Sequence, residues 1–189
     1  MVHPVYVIGH PVLRKKAVDI EKDFKGLEQL VDDLFETMYK ADGIGLAAPQ
    51  IGKSVRIFIV DGTPLSDDEP ELDGFRYVFI NAHITERSGE IVPMTEGCLS
   101  IPKLHEEVNR ESFIRINYYD ENWVYHEDIF EGYRARIIQH EYDHLDGVLF
   151  TDKVSPIRKR LLKSKLAALS KGKFDVSYKT ILQNQKVRK

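Results

Sequence analysis

The stretch Gln139-His140-Glu141-Tyr142-Asp143-His144 contains the pattern H-E-x-x-H. On a helix, residues four apart lie one turn apart on the same face. His140 and His144 can therefore present imidazole nitrogens to one metal ion, and Glu141, close to that face, can reach a water beside it. The flanking residues predict a helix from near Gly132 to Gly147, a glycine suited to a left-handed cap. Ala135, Ile138, Tyr142 and Leu145 form an apolar stripe, while Ile137, His140, Glu141 and His144 form a second face. Two faces of different chemistry predict a central helix with core on one side and a site on the other. The same letters also arise by chance on surface helices with solvated histidines, so the rest of the chain must decide.

A hydrolytic metal centre usually has three protein ligands and one open position. No Glu follows Glu141, which excludes a carboxylate ligand of that kind on a later helix. The extended form H-E-x-x-H-x-x-G-x-x-H fails as well. Its glycine is present as Gly147, but its last position is Phe150, and no His follows His144. The third ligand therefore comes from upstream or is an Asp. The notable upstream candidate is Cys98, the single cysteine, in Thr95-Glu96-Gly97-Cys98-Leu99-Ser100. A lone Cys is ordinarily a small buried hydrophobe. Flanked by Gly and polar residues, Cys98 is less suited to that role. A Cys-His-His set with an open fourth position is a reasonable catalytic arrangement.

Three separated segments, Gly43-Ile44-Gly45-Leu46-Ala47-Ala48-Pro49-Gln50, Glu96-Gly97-Cys98-Leu99-Ser100 and Gln139 to His144, together resemble the peptide deformylase family. Their order and spacing fit, and the resemblance runs from about Ile8 to about Leu169. It implies a metal-dependent hydrolase that removes the formyl group from N-formylmethionyl nascent polypeptides and releases formate. It also implies one divalent ion per chain on Cys98, His140 and His144. That ion is expected to be Fe(II) in the cell, with Zn, Ni or Co able to take its place, since Cys and His accept several first-row ions. By the same resemblance Glu141 is the general base. The Gln50 side-chain amide and the Leu99 backbone N–H donate to the developing oxyanion, and Ile44 and Gly45 pair with the substrate main chain. Ile44, Leu99, Tyr133, Ile137 and His140 line the methionine pocket, and Glu96 pairs with Arg110 to fix the loop carrying Cys98. Arg136 departs from the apolar residue expected at its position. It either points away or lays its aliphatic stem along the pocket rim.

The chain has 189 residues, 42% hydrophobic and 30% charged, with net charge -3. These are ordinary globular values and give no overall attraction to nucleic acid. They predict a single catalytic domain over 1–189, with 170–189 as a basic tail. One cysteine excludes an internal disulfide and predicts a reducing, cytoplasmic setting. No apolar run is long enough to span a membrane.

Val5 to Ile8 reads as an extended arm and Leu27 to Ala41 as a core-packing helix. Gly43 to Gly52 has three glycines and one proline and reads as an extended, irregular wall. Strands are predicted at Val55–Val60, Tyr77–Ile80, Ile84–Val92, Phe113–Tyr119 and Trp123–Phe130, with a hairpin at Asp120-Glu121-Asn122. Asp61 to Gly74 reads as an exposed acidic loop, Trp123 as packing, and His105 and His126 as solvated. The expected class is α+β, with antiparallel sheets around the H-E-x-x-H helix, plus an N-terminal and a C-terminal helix. The last begins at Ser155-Pro156, with Ile157, Leu161, Leu162, Leu166 and Leu169 following at roughly helical spacing. Its other face carries Arg158, Lys159, Arg160, Lys163 and Lys165, and no acidic residue lies between Lys153 and Phe174. Such a run is ordinarily a solvated face. In an enzyme of nascent chains it predicts docking on ribosomal RNA phosphates.

Overall fold

Five antiparallel strands form the main sheet of the computed structural model, which describes residues 1–183. Their order is β2 (Gly45–Ala47), β3 (Ile57–Asp61), β4 (Arg76–Cys98), β5 (Ile101–Tyr119) and β6 (Tyr125–Glu131). β3 is apolar along nearly its whole length, and Ile57, Phe58, Ile59 and Val60 are each 0% exposed. Side chains alternate across a strand. Phe58 and Val60 accordingly pack with Ala135, Ile138 and Leu145 of α2 (Gly132–Leu145). Ile57 and Ile59 pack with Leu30, Leu34 and Met38 of α1 (Leu27–Lys40). The sheet thus lies between the two helices, an α+β arrangement with core on both faces.

The predicted strands are present, but two of them are far longer than the pattern suggests. Tyr77–Ile80 and Ile84–Val92 belong to one strand, β4, which continues to Cys98. Asn81 (φ 50°) and Gly89 (φ 84°) sit at register shifts against β5. Asn81, which falls at a predicted strand break, is absorbed as a bulge, and Gly89 marks another inside the predicted strand. Pro93 is tolerated because β3 pairs with β4 only as far as Ile80, which leaves β4 one free edge there. Residues 101–112 of β5 lack the expected apolar alternation for a different reason. The inward positions are Leu104, Glu106, Val108 and Arg110, and all four are buried. Two inward charges break the hydrophobic period, and each has a partner. Arg158 donates to Glu106 at 2.8 and 2.6 Å, and Arg110 donates to Glu96 at 2.6 and 2.8 Å.

Four expectations need correction or completion. The stretch from Asp61 to Gly74 is not simply an exposed loop. Two short 3-10 turns, Thr63–Leu65 and Pro70–Leu72, bring Leu72 into the core at 0% exposure. Glu71 Oε1 there accepts from the Tyr133 N–H at 3.2 Å, one of the orphan donors at the α2 N-terminus. His126 is not simply solvated: one-third exposed, it shares a 2.9 Å hydrogen bond with Asp120 and stacks on Tyr118. In the third helix, α3 (Pro156–Leu169), Ile157 and Leu161 face solvent at 71% and 65% exposure, while Leu162 and Leu169 are buried. Lastly, Gly43 to Gly52 is extended only to Ala47, and Ala48–Ile51 form a 3-10 turn.

The arm at Val5 pairs in parallel, as β1 (Val5–Tyr6), with β7 (Thr180–Ile181). Of the stretch read as a basic tail, 170–183 packs on the protein, and 184–189 lie outside the described residues. Among the described residues no helix is long and apolar enough to cross a membrane.

Candidate metal centre and substrate cleft

Cys98 reaches the site at the tip of the longest hairpin. It pairs with Ile101, leaving Leu99 and Ser100 as a two-residue turn. Cys98 Sγ lies 3.3 Å from His144 Nε2. One atom each of Cys98, His140 and His144 lie within 4.8 Å of one another. The two imidazoles are 5.3 Å apart and inclined by 76°, so they converge rather than stack. Phe150, standing where the longer motif has its third histidine, stacks on His140 at 6.0 Å and 28°.

The His140 ring is oriented from behind. Its Nδ1 donates to Glu96 Oε2 at 2.9 Å, which leaves Nε2 for the cluster. Glu96 and Arg110 meet as expected, and the sequence reading missed two further members. Arg136 Nη1 donates to Glu96 Oε1 at 2.9 Å and to Val108 O at 2.9 Å, and Nη2 reaches Val92 O. Arg110 Nη1 donates to Asp143 Oδ2 at 2.7 Å. Arg136 was legible in principle, because it stands four residues before His140 on the same helix face. Rather than pointing away, it borders the cleft and buries its guanidinium.

Burial acts to raise the Glu96 carboxyl, but Arg110 and His140 more than offset it and hold it well below the usual carboxylate range. Burial acts to lower His140, yet Cys98 and Glu96 raise it well above its ordinary value. His144 is driven the other way by burial and then by the charges of His140 and Arg110. Burial pushes Glu141 up to about 7. This acid lies tight against the backbone of Gly45: a Cβ there would stand 2.4 Å from Glu141 Oε1. Gln50 is fixed at its other end. Its Oε1 accepts from the Ala47 N–H at 2.8 Å, which turns Nε2 toward Ser100 Oγ at 3.2 Å and Cys98 Sγ at 3.6 Å.

Among the described residues, two buried polar side-chain atoms have no partner, Glu141 Oε2 and His144 Nδ1. A sulfur and two imidazole nitrogens converging beside an unpaired carboxylate oxygen fit a divalent transition ion. The family model for polypeptide deformylase matches residues 2–160. The chain belongs to that family. Its activity is the family's: metal-dependent hydrolysis of the N-formyl group of N-formylmethionyl polypeptides, with release of formate. A peptide deformylase of Christiangramia forsetii is 52% identical, the match covering 98% of each chain. That of Cytophaga hutchinsonii is 48% identical over 95% of this chain and 96% of its own. The crystal structure of peptide deformylase from Thermotoga maritima superposes with TM-score 0.74 at 39% identity, covering 82% of this chain and 99% of that one.

Beside the cluster lies a cleft of about 460 Å³. Ile44, Gly45, Gln50, Leu99, Tyr133, Ile137, His140 and Glu141 all line it, so the residues assigned from the deformylase resemblance are brought to one place. Leu65, His105, Val176 and Tyr178 also line it and were not foreseen. His105, although exposed, lays its ring against Gly97, where a Cβ would come within 2.7 Å.

Proposed function

We propose that Cys98, His140 and His144 hold the catalytic cation of this deformylase, that this ion is Fe(II) in the cell, and that Glu141 is its general base. The observation that carries the reading is the unpaired Oε2 of buried Glu141 beside three converging ligand atoms. When bound, the cation supplies the charge that acidifies the attacking water and polarises the formyl carbonyl. Glu141 takes the proton from that water and later gives it to the leaving amine as the C–N bond breaks. The Gln50 amide and the Leu99 N–H donate to the oxygen that becomes negative. The carbonyl of Ile44 already accepts from the Asp61 N–H at 2.8 Å, on the β3 side. Main-chain groups of successive strand residues face opposite edges, so Gly45 presents its own to the substrate. The methionine side chain fills the apolar part of the cleft, between Ile44, Leu99, Tyr133 and Ile137.

The test is a comparison of formyl-Met, acetyl-Met and free Met peptides, with protein prepared without oxygen and its metal analysed. The reading expects formate from the first, little turnover of the others, and iron as the bound ion. Comparable cleavage of the acetyl peptide would instead show an amidase of broad range.

The substrates are chains in synthesis, which places the enzyme in the cytoplasm, and α3 offers a face for meeting them. Lys159, Arg160, Lys163 and Lys165 are exposed there beside Ile157 and Leu161. Arg158 is committed to Glu106 and is not part of that face. This surface docks the enzyme on ribosomal RNA. Replacing those four cations with Gln lowers ribosome co-sedimentation at low salt and leaves turnover of a short peptide intact. Unchanged co-sedimentation would return the run to a solvated face.

A further inference from the structure

The segment after α3 makes contacts with the Cys98 turn that the catalytic reading does not use. Its sequence alternates: Phe174, Val176, Tyr178 and Thr180 are half-buried, while Asp175, Ser177 and Lys179 are exposed. It is tied to the N-terminal arm by the β1–β7 pair, with the Val5 N–H on Lys179 O at 2.9 Å and the Val7 N–H on Ile181 O at 3.0 Å. From residues flanking this pair of strands two donors reach the turn. Tyr178 Oη donates to the Leu99 carbonyl at 2.8 Å. The Ile8 N–H donates to the Ser100 carbonyl, also at 2.8 Å. Consecutive carbonyls of a two-residue turn are thus fixed from outside by the two ends of the chain. Residues 174–183 lie beyond the 2–160 matched by the family model, so the match assigns them nothing.

We propose that Tyr178 is a positioning residue for the deformylase reaction: by holding the Leu99 carbonyl it fixes the direction of the Leu99 N–H and the seat of the Cys98 sulfur. The inference rests on reading Leu99 as an oxyanion donor and Cys98 as a ligand. The Leu99 carbonyl shares a peptide plane with the Ser100 N–H, and only the Leu99 φ and ψ separate that plane from the one carrying the Leu99 N–H. In a two-residue turn with few free torsions, restraining the carbonyl narrows the directions open to that amide and to Cys98 before it. A hydrogen-bond donor aids the reaction only where its direction is set before charge develops. The Tyr178 ring serves a second purpose as cleft wall beside Val176, and Tyr178→Phe separates the two by keeping the ring and removing one oxygen.

The experiment compares wild type with Tyr178→Phe, both loaded with one cation and normalised to bound metal. The expected result is a loss of about tenfold in kcat per metal, with KM for a short formyl-Met peptide within about twofold, because the misplaced group acts in the transition state. A chelator strips the ion from the variant several times faster, and the carbonyl carbon resonance of Leu99 shifts. A residue that only packs would change the unfolding midpoint and leave kcat per metal, chelation rate and the Leu99 resonance as in wild type. That outcome overturns the proposal. Wild-type protein that releases no formate would defeat the deformylase reading of the turn instead, and the chelation rate and Leu99 resonance would then judge Tyr178 without it.

Discussion

Glu96 Oε2 lies 2.9 Å from His140 Nδ1, and the same carboxylate accepts from Arg110 at 2.6 and 2.8 Å and from Arg136 at 2.9 Å. One buried anion therefore orients the His140 imidazole and anchors the strand that ends at Cys98. Glu96→Gln keeps the shape but loses the charge, and its amide cannot accept from all three neighbours. Metal affinity should fall by about 10–100-fold, as measured by competition with a chelator. Wild-type affinity in the variant would show that the histidine is held by packing alone.

The same pair sets an acid dependence. The folded Glu96 carboxyl titrates well below its unfolded value of about 4.3. The stability this gives is present in full above about pH 4.3 and is lost as pH falls from there through the folded value. Breaking a buried pair of this kind costs on the order of 3 kcal/mol. Denaturant midpoints should therefore favour wild type over Glu96→Gln at pH 7, with the gap narrowing below about pH 4. A constant gap from pH 7 to pH 3 would contradict the linkage.

Gly45 has no room for a side chain. Gly45→Ala would place a carbon 2.4 Å from Glu141 Oε1, so the acid must move. The atoms that carbon would meet first belong to Glu141, so the variant should bind metal normally while kcat falls by about a hundredfold, the usual contribution of a general base. Retained turnover would mean that Glu141 can work from another rotamer.

Cys98→Ser tests the sulfur. An alcohol is harder and far less acidic than a thiol, so the variant should bind its ion more weakly or prefer a different one. Full metal content with unchanged preference and activity would reduce Cys98 to packing.

What was legible in the sequence was local periodicity and local motif. The helix carrying His140 and His144 runs to within about two residues of its predicted ends, because its apolar stripe and the Gly147 cap (φ 71°) act over a few residues. The arm of β5 was missed because Glu106 and Arg110 occupy inward positions, and their partners Arg158 and Glu96 are distant in sequence. β4 was divided because Asn81, between Ile80 and Ile84, signals a turn, and only pairing with β5 shows it to be a bulge. The segment at Phe174–Ile181 does alternate, but the lysines around it suggested a tail, and its pairing partner lies at the opposite end of the chain. Ile157 and Leu161 stay exposed although they share the helical spacing of buried Leu162 and Leu169, because spacing identifies a stripe and not what covers it.

We propose that buried Glu141 moves the protons beside a cation that it does not bind. The direct measurement is formate release from a formyl-Met peptide by Glu141→Gln, with bound metal determined on the same sample. The expected result is one ion per chain and a loss of about a hundredfold or more in turnover, the scale of a general acid–base group. Near-normal turnover in a variant shown to carry its metal would contradict it.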